Sequence, residues 1–281
     1  MQLSSANVFA ANRINLVVAH SAEAKPLRAM FNLRTQLLSR PFPVYQNAEG
    51  ICLIVSGIGK VSAAAATAYL AGLQASLPAC TWLNIGIAGH QHAAIGTGLL
   101  AHKIIDAANG DSFYPPQLLQ GLQTATVITV AVPERNYPQD AAYDMEAAGF
   151  YACASRIVTT ELAQVFKIVS DNPRHTLTSF DIAQVQGLIE GQQSALTRLL
   201  GDLDALLASY RKAYTVSPVF EFLLTSYRFT ATRRVQLQRL CERFHALGLD
   251  PALFKISDQQ FSTSKQLLLQ LELELAAQVG S

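Results

Sequence analysis

Residues 51–77 read ICLIVSGIGKVSAAAATAYLAGLQASL, and this stretch indicates the fold class. Its first five residues are apolar, as in a short strand that is buried on both faces. A turn with two glycines follows, and the alanine-rich residues 60–77, which end before Pro78, are predicted to form a helix. A buried strand, a glycine turn and a helix are the parts of a strand–helix unit of an α/β protein.

The same alternation continues on both sides of this stretch. Five further buried strands are predicted, at residues 14–19, 82–85, 99–105, 125–132 and 165–169. Two further helices are predicted at residues 141–158 and 181–210. Such alternation predicts a mainly parallel sheet covered by helices, so we expect a three-layer α/β/α domain over residues 1–210.

The remaining residues, 211–281, are expected to form a helical extension. The Ser217-Pro218 pair stops the preceding helix. Apolar residues then recur at helical spacing over 219–247 and 257–278, which predicts two or three helices. Three arginines, Arg228, Arg239 and Arg243, would share one helix face. Aromatic interleaving and a nucleic-acid fold signature are missing, so we interpret this face as solvated and do not expect a nucleic-acid partner.

Composition excludes several classes of protein. Half of the residues are hydrophobic, 15% are charged and the net charge is +1, as in an ordinary globular protein. No segment approaches the roughly 20 apolar residues of a membrane helix, and no secretion signal is recognisable, so a cytoplasmic protein without a membrane partner is expected. The four cysteines form no CxxC pair and no third ligand accompanies His90 and His92, so we expect neither a metal nor a cofactor.

The residues that follow the predicted strands are candidates for a site, because ligands of open parallel sheets bind beyond the carboxyl ends of the strands. These ends contain Glu23, the glycine turn at 56–60, the glycine-containing segment 86–90, and Asp171. The turn fits neither the Walker pattern nor GxGxxG, and it is either an ordinary strand-to-helix turn or a ligand-contacting loop. Taken alone, Asp171 is better explained as an Asx turn or a helix N-cap than as a catalytic residue.

Two further acids, Asp144 and Glu146, lie among small and apolar residues of a predicted helix. Burial of an unpaired carboxylate is costly, so one of them should have a specific partner. The alternative is that they lie in the first helical turn, where the helix dipole favours a negative charge.

Four motifs occur in an order that resembles the bacterial 5′-methylthioadenosine/S-adenosylhomocysteine nucleosidases and their nucleoside phosphorylase relatives. They are SGIGKV at 56–61, NIGIAG at 84–89, MEAA at 145–148 and IVSD at 168–171, followed by SFD at 179–181. The resemblance covers roughly residues 13–208. It implies a three-layer α/β/α nucleoside phosphorylase-like domain, with the C-terminal helical extension outside it.

The resemblance also implies roles for individual residues. Asp171 would be the general acid that protonates purine N7, and Glu146 would hold the ribose 2′- and 3′-hydroxyls while Met145 packs on the sugar. Glu23 would activate the attacking water. The other implied contacts to a nucleoside are Ile87, Ala88, Gly89, Ser170 and Phe180, with Ser56 and Gly57 on the loop beside the nucleophile or phosphate.

Three functions are compatible with these residues, and hydrolysis of an N-glycosidic bond is the favoured one. Phosphorylases of this family carry arginines at the first strand end and just before the third glycine turn, where this chain has residues 19–25 and Asn84 without arginine. Water is therefore favoured over phosphate as the nucleophile. Lys25 or Arg28 could substitute for the phosphate-binding arginines, so a phosphorylase is the second hypothesis.

The third reading is a catalytically silent nucleoside-binding module whose helical tail binds a protein partner. Its basis is the segment 106–144, which is shorter than the segment that walls the purine site in the nucleosidases. Under each of the three readings the resemblance implies a homodimer or higher homo-oligomer.

Overall fold

The computed structural model describes residues 13–36, 41–74, 80–175, 181–213, 218–257 and 259–279. The chain divides into two compact units, Met1–Leu207 and Ala208–Ser281. The first unit contains a sheet with helices on both faces, and the second is helical.

The first unit contains a ten-stranded sheet in the described part of the chain. In chain order its strands are β1 (Ile14–Val18), β2 (Arg34–Thr35), β3 (Val44–Gln46), β4 (Ile51–Val55), β5 (Thr81–His90), β6 (Gly98–Asp106), β7 (Ser112–Phe113), β8 (Gln123–Thr129), β9 (Ala142–Asp144) and β10 (Ala163–Asp171).

Strand β5 is the centre of this sheet. One of its edges pairs with β10 in parallel over almost its whole length. The other edge pairs first with β1 in parallel and then, at Gly89 and His90, with β9 in antiparallel. Because β10 also pairs with β6, β6 with β8, and β8 with β9, the strands β5, β10, β6, β8 and β9 close into a ring.

The sheet is mainly parallel, as the sequence predicted, but it also contains short antiparallel pairings. The long pairings are parallel, but β10–β6 and β5–β9 are antiparallel. The sequence pattern concealed this because it predicted β6 and β8 as ordinary buried strands, and burial on both faces gives the same apolar run in either direction.

Helices cover both faces of the sheet, which confirms the predicted three-layer fold. On one face, α2 (Lys60–Leu73) and α3 (Ala147–Ile157) pack small residues such as Ala63 and Ala154 on the strands. On the other face lie α1 (Ser21–Met30), α4 (Ile182–Gly191) and α5 (Gln193–Ala213). Successive residues of β1 alternate between the two cores: Leu16 and Val18 belong to one and Val17 to the other.

Two helix predictions need correction. The helix predicted at 141–158 begins only at Ala147, because residues 142–144 are β9 and pair with both β5 and β8. The helix predicted at 181–210 is divided at Gln192, whose side-chain amide donates to the Gly96 carbonyl at 2.7 Å.

The second unit has a hydrophobic core of its own. Its described residues form α6 (Pro218–Ser226), α7 (Ala231–Ala246), α8 (Asp250–Ser257) and α9 (Ser264–Val279), which are four helices where two or three were predicted. Arg228 lies between α6 and α7 and not on the helix that carries Arg239 and Arg243, so the predicted shared face is wrong for it. Within the described parts of the chain, no helix is long and apolar enough to cross a membrane.

Candidate active site

A cavity of about 500 Å³ lies at the carboxyl ends of β1, β5 and β10 and beside the segments that follow β8 and β9. It brings together eight of the residues that the sequence suggested. They are Glu23, Ile87, Ala88, Gly89, Met145, Glu146, Ser170 and Asp171.

Three other suggested residues have different positions. Ser56 and Gly57 are in the turn before α2, but the cavity is lined there by the neighbouring Ile58. The Ser56 hydroxyl donates to the Gly57 carbonyl at 2.7 Å. Phe180 lies outside the described residues.

Glu23 is held at the start of α1 by backbone donors. Its Oε2 accepts from the amides of Ala19 at 2.9 Å and His20 at 3.0 Å, in a capping box with His20 as the N-cap residue. Its Oε1 accepts from the amide of Ile87 on β5 at 3.1 Å. The residue is 4% exposed, and burial raises the pKa of its carboxyl group, although Lys167 opposes this shift.

Asp144 organises the start of α3 from the end of β9. Its Oδ2 accepts from the amides of Glu146 at 3.1 Å and Ala147 at 2.7 Å, which satisfies helix donors that would otherwise lack partners. Its Oδ1 accepts from the Thr129 hydroxyl at 2.7 Å, and the same hydroxyl accepts from the amide of Ala148. Asp144 is thus the acid for which the sequence demanded a specific partner.

Lys167 supplies the positive charge of this part of the site. It lies in the middle of β10, is fully buried, and its Nζ is 2.8 Å from Asp144 Oδ2. Burial alone would lower its pKa, but Asp144, Glu146 and Glu23 outweigh burial and raise it. This residue was not recognised from the sequence. A lysine inside an apolar strand was a signal, because lysine is almost never fully buried unless it is paired.

Glu146 stands at the N-cap position of α3 and faces the glycine turn. Its Oε1 accepts from the amide of Gly59 at 2.8 Å. Burial raises the pKa of this carboxyl group, Lys167 lowers it, and Asp144 and Glu23 raise it. The resulting pKa is about 7. The carboxyl group can therefore change its protonation state near neutral pH.

Asp171 lies at the end of β10, where a register shift between Val169 and Asp171 interrupts the pairing with β5. Its two oxygens have different partners. Oδ1 accepts from the Ser170 hydroxyl, and Oδ2 accepts from the Tyr137 hydroxyl. Burial and the adjacent Asp171 raise the pKa of Tyr137, which keeps the phenol in its donating form.

Tyr137 was not recognised from the sequence, because the residues around it have the composition of a loop. Gly89 provides the space for it on the opposite strand: a Cβ at Gly89 would lie 2.4 Å from Tyr137 Cε1 and 2.8 Å from Asp171 Oδ2. In the described residues no group of three or more metal-ligating side chains could hold a metal ion.

The fold of this chain is similar to that of several solved nucleosidases. It is similar to 5′-methylthioadenosine/S-adenosylhomocysteine nucleosidase from Helicobacter pylori, with TM-score 0.55 and 14% identity over 68% of this chain and 98% of that one. Futalosine hydrolase of the same organism gives TM-score 0.55 and 16% identity over 68% and 98% of the two chains. The 5′-methylthioadenosine nucleosidase of Arabidopsis thaliana gives TM-score 0.57 and 18% identity over 68% and 96%.

These similarities establish the nucleosidase fold for this chain. At the level of sequence, neither a protein-family model nor a curated protein matches it. Its activity and substrate therefore have to be argued from the side chains of the cavity.

Proposed function

We propose that this protein hydrolyses the N-glycosidic bond of a purine nucleoside or thionucleoside. The observation that carries the proposal is a single cavity containing two different acidic groups. One is Asp171, which is held by two hydroxyl donors, and the other is the carboxyl cluster of Glu23 and Glu146 around Lys167.

The two acidic groups have complementary tasks in such a reaction. Asp171 gives a proton to N7 of the purine, and the electron pair of the C1′–N9 bond leaves with the base. The sugar then carries oxocarbenium character, which the carboxyl groups stabilise while Glu146 holds the 2′- and 3′-hydroxyls and Met145 packs on the sugar. Water adds to C1′ and gives its proton to Glu23, and proton transfer of each kind contributes about 10²- to 10⁴-fold.

Water is favoured over phosphate as the nucleophile because the sugar end of the cavity is acidic. Three buried carboxyl groups, those of Glu23, Asp144 and Glu146, surround the single amine of Lys167. The Gly59 amide, which could otherwise meet a phosphate, already donates to Glu146. A phosphate dianion would be repelled there.

The two cations that could have substituted for phosphate-binding arginines have other partners. Lys25 Nζ is 3.3 Å from Gln186 Oε1 and is exposed. The Arg28 guanidinium lies over the Tyr45 ring, 4.0 Å from its centroid. Neither residue lines the cavity, although Arg135 does.

We include a homodimer in the proposal. Ile58 lines the cavity and is 56% exposed, and Val132, next to the cavity-lining Pro133, is 71% exposed. The resemblance to the nucleosidases implies a homo-oligomer, and these exposed apolar side chains are compatible with a second subunit beside the cavity. Light scattering coupled to size exclusion would test this: a monomer at micromolar concentration would contradict it.

The decisive experiment is detection of free base by chromatography. Purified protein is incubated with methylthioadenosine, S-adenosylhomocysteine, adenosine, inosine and futalosine, each with and without inorganic phosphate. We expect release of base without phosphate. Release that requires phosphate would indicate a phosphorylase, and tight binding without release would indicate a silent binding module.

The variant Asp171→Asn tests the assignment of the acid. It keeps the size of the side chain but cannot supply the proton, so we expect base release to fall by about 10²-fold or more. The melting temperature of the variant controls for its folding. Full activity of a folded Asp171→Asn protein would mean that another group is the acid.

A further inference from the structure

Tyr137 is an unusual residue of the segment between β8 and β9. Its neighbours Asn136 and Pro138 are exposed, whereas Tyr137 is only 2% exposed. Its backbone has a φ of 45°, in the left-handed region that non-glycine residues rarely adopt. The packing of the side chain must compensate for this conformation.

That packing directs the phenol at Asp171. The Tyr137 ring meets the Tyr143 ring edge-on, with 5.9 Å between centroids, and both rings line the cavity. The hydroxyl donates to Asp171 Oδ2, and the ring occupies the space left by the missing side chain of Gly89. The segment between β8 and β9 thus forms part of the cavity wall and directs Tyr137 at Asp171.

We propose that Tyr137 is a positioning residue that acts through Asp171, an inference that rests on the proposed function. As Asp171 transfers its proton to the purine, negative charge develops on its two oxygens. The Tyr137 hydroxyl donates to one of them and the Ser170 hydroxyl to the other. Both donors are in place before the proton moves, so they strengthen as the charge appears.

The atoms of this step balance without any further reactant. The nucleoside and one water yield the free base and the free sugar, and the proton that Asp171 loses is restored from the proton that water gives to Glu23. Tyr137 keeps its own proton throughout, in agreement with its raised pKa. It therefore contributes to proton transfer to the base and not to the attack of water.

A pair of substrates separates these two contributions. A purine nucleoside needs protonation of its leaving group, whereas 4-nitrophenyl riboside releases a phenolate that leaves unprotonated. For Tyr137→Phe we expect kcat on the purine nucleoside to fall about 10- to 100-fold with KM nearly unchanged. With 4-nitrophenyl riboside, kcat should remain within about threefold of the wild type.

Tyr143→Phe is the matched control, because the Tyr143 hydroxyl accepts from the Gln139 amide and does not touch Asp171. Its ratio of the two kcat values should stay at the wild-type ratio. In an Asp171→Asn background, Tyr137→Phe should cause little further loss, as expected for two residues that act as a unit. Should Tyr137→Phe not fold, Ser170→Ala removes the second donor and should produce the same selective loss.

Three results would overturn the inference. If the wild type releases base but Tyr137→Phe lowers both kcat values equally, the role of Tyr137 is structural. If a folded Tyr137→Phe retains the wild-type kcat on the nucleoside, the hydrogen bond to Asp171 has no part in turnover. In both cases the proposed function survives, whereas a wild type that cleaves neither substrate refutes the function and the inference together.

Discussion

Replacement of Glu146 by Gln tests the electrostatic description of the carboxyl cluster around Lys167. Burial and the neighbouring carboxyl groups of Asp144 and Glu23 raise the pKa of Glu146 from 4.5 to about 7 in the folded protein. A carboxyl group whose pKa is raised on folding binds more protons in the folded state than in the unfolded state. Its contribution to stability is therefore complete below pH 4.5 and is lost as the pH rises through 7.

The size of this loss follows from the shift. A difference of about 2.5 pKa units, at about 1.4 kcal/mol per unit, corresponds to about 3 kcal/mol in total. Part of it has already been lost at pH 5, so about 2 to 3 kcal/mol remains to be lost between pH 5 and pH 8. Gln has no proton to lose over this range and should not show the dependence. Relative to the wild type, Glu146→Gln should thus gain about 2 to 3 kcal/mol between the two pH values.

Urea unfolding of both proteins at pH 5 and pH 8 measures this difference directly, provided that both show the same m-value. Comparison with the wild type cancels the titration of groups that the two proteins share. Glu190, exposed on α4, supplies the matched control Glu190→Gln. A stability difference for Glu146→Gln that is the same at both pH values, or a change of equal size for Glu190→Gln, would refute the argument from burial.

Two further predictions concern residues that support the site. Lys167→Met leaves buried carboxyl groups without their counter-charge, so it should cost about 3 to 5 kcal/mol in urea unfolding at pH 8; a loss below about 1 kcal/mol would mean that the ion pair is unimportant. Gly89→Ala places a Cβ 2.4 Å from Tyr137 Cε1, so it should displace that ring and reduce base release. Gly72→Ala is the control: its Cβ would meet nothing within 4 Å, so base release should be unchanged. Equal activity of the two alanine variants would contradict the close approach at Gly89.

Strands and helices whose residue pattern depends on burial alone could be predicted from the sequence. Strands β1 and β4 coincide closely with their apolar runs, because both faces of these strands are covered. Strand β9 was missed because it has only three residues, which is too short for a recognisable period, and because Asp144 within it resembles a helix-start residue. Tertiary pairing with β5 and β8 determines its conformation.

The site was predictable to the extent that it follows strand ends. Glu23 lies five residues after the end of β1 and Asp171 is the last residue of β10, and both line the cavity. Lys167 and Tyr137 could not be placed in the same way. Lys167 lies within a strand. A lysine whose aliphatic chain packs on the edge of a sheet while its amine reaches water would produce a similar sequence pattern. Tyr137 depends on a left-handed backbone in an irregular segment, which no periodicity specifies.

The charges of the site provide a physical link between its structure and its ligand. Lys167 can neutralise only one of the carboxyl groups that surround it, and the raised pKa values of Glu23 and Glu146 show that the others are costly to ionise. Hydroxyl groups of a sugar are neutral donors, and they stabilise an ionised carboxyl group without adding charge. A transition state with positive charge on the sugar stabilises such carboxylates more strongly than the neutral substrate does. Under the proposed function, the same charge imbalance that destabilises the folded protein above neutral pH would favour cleavage of a glycosidic bond, because only the transition state supplies the missing positive charge.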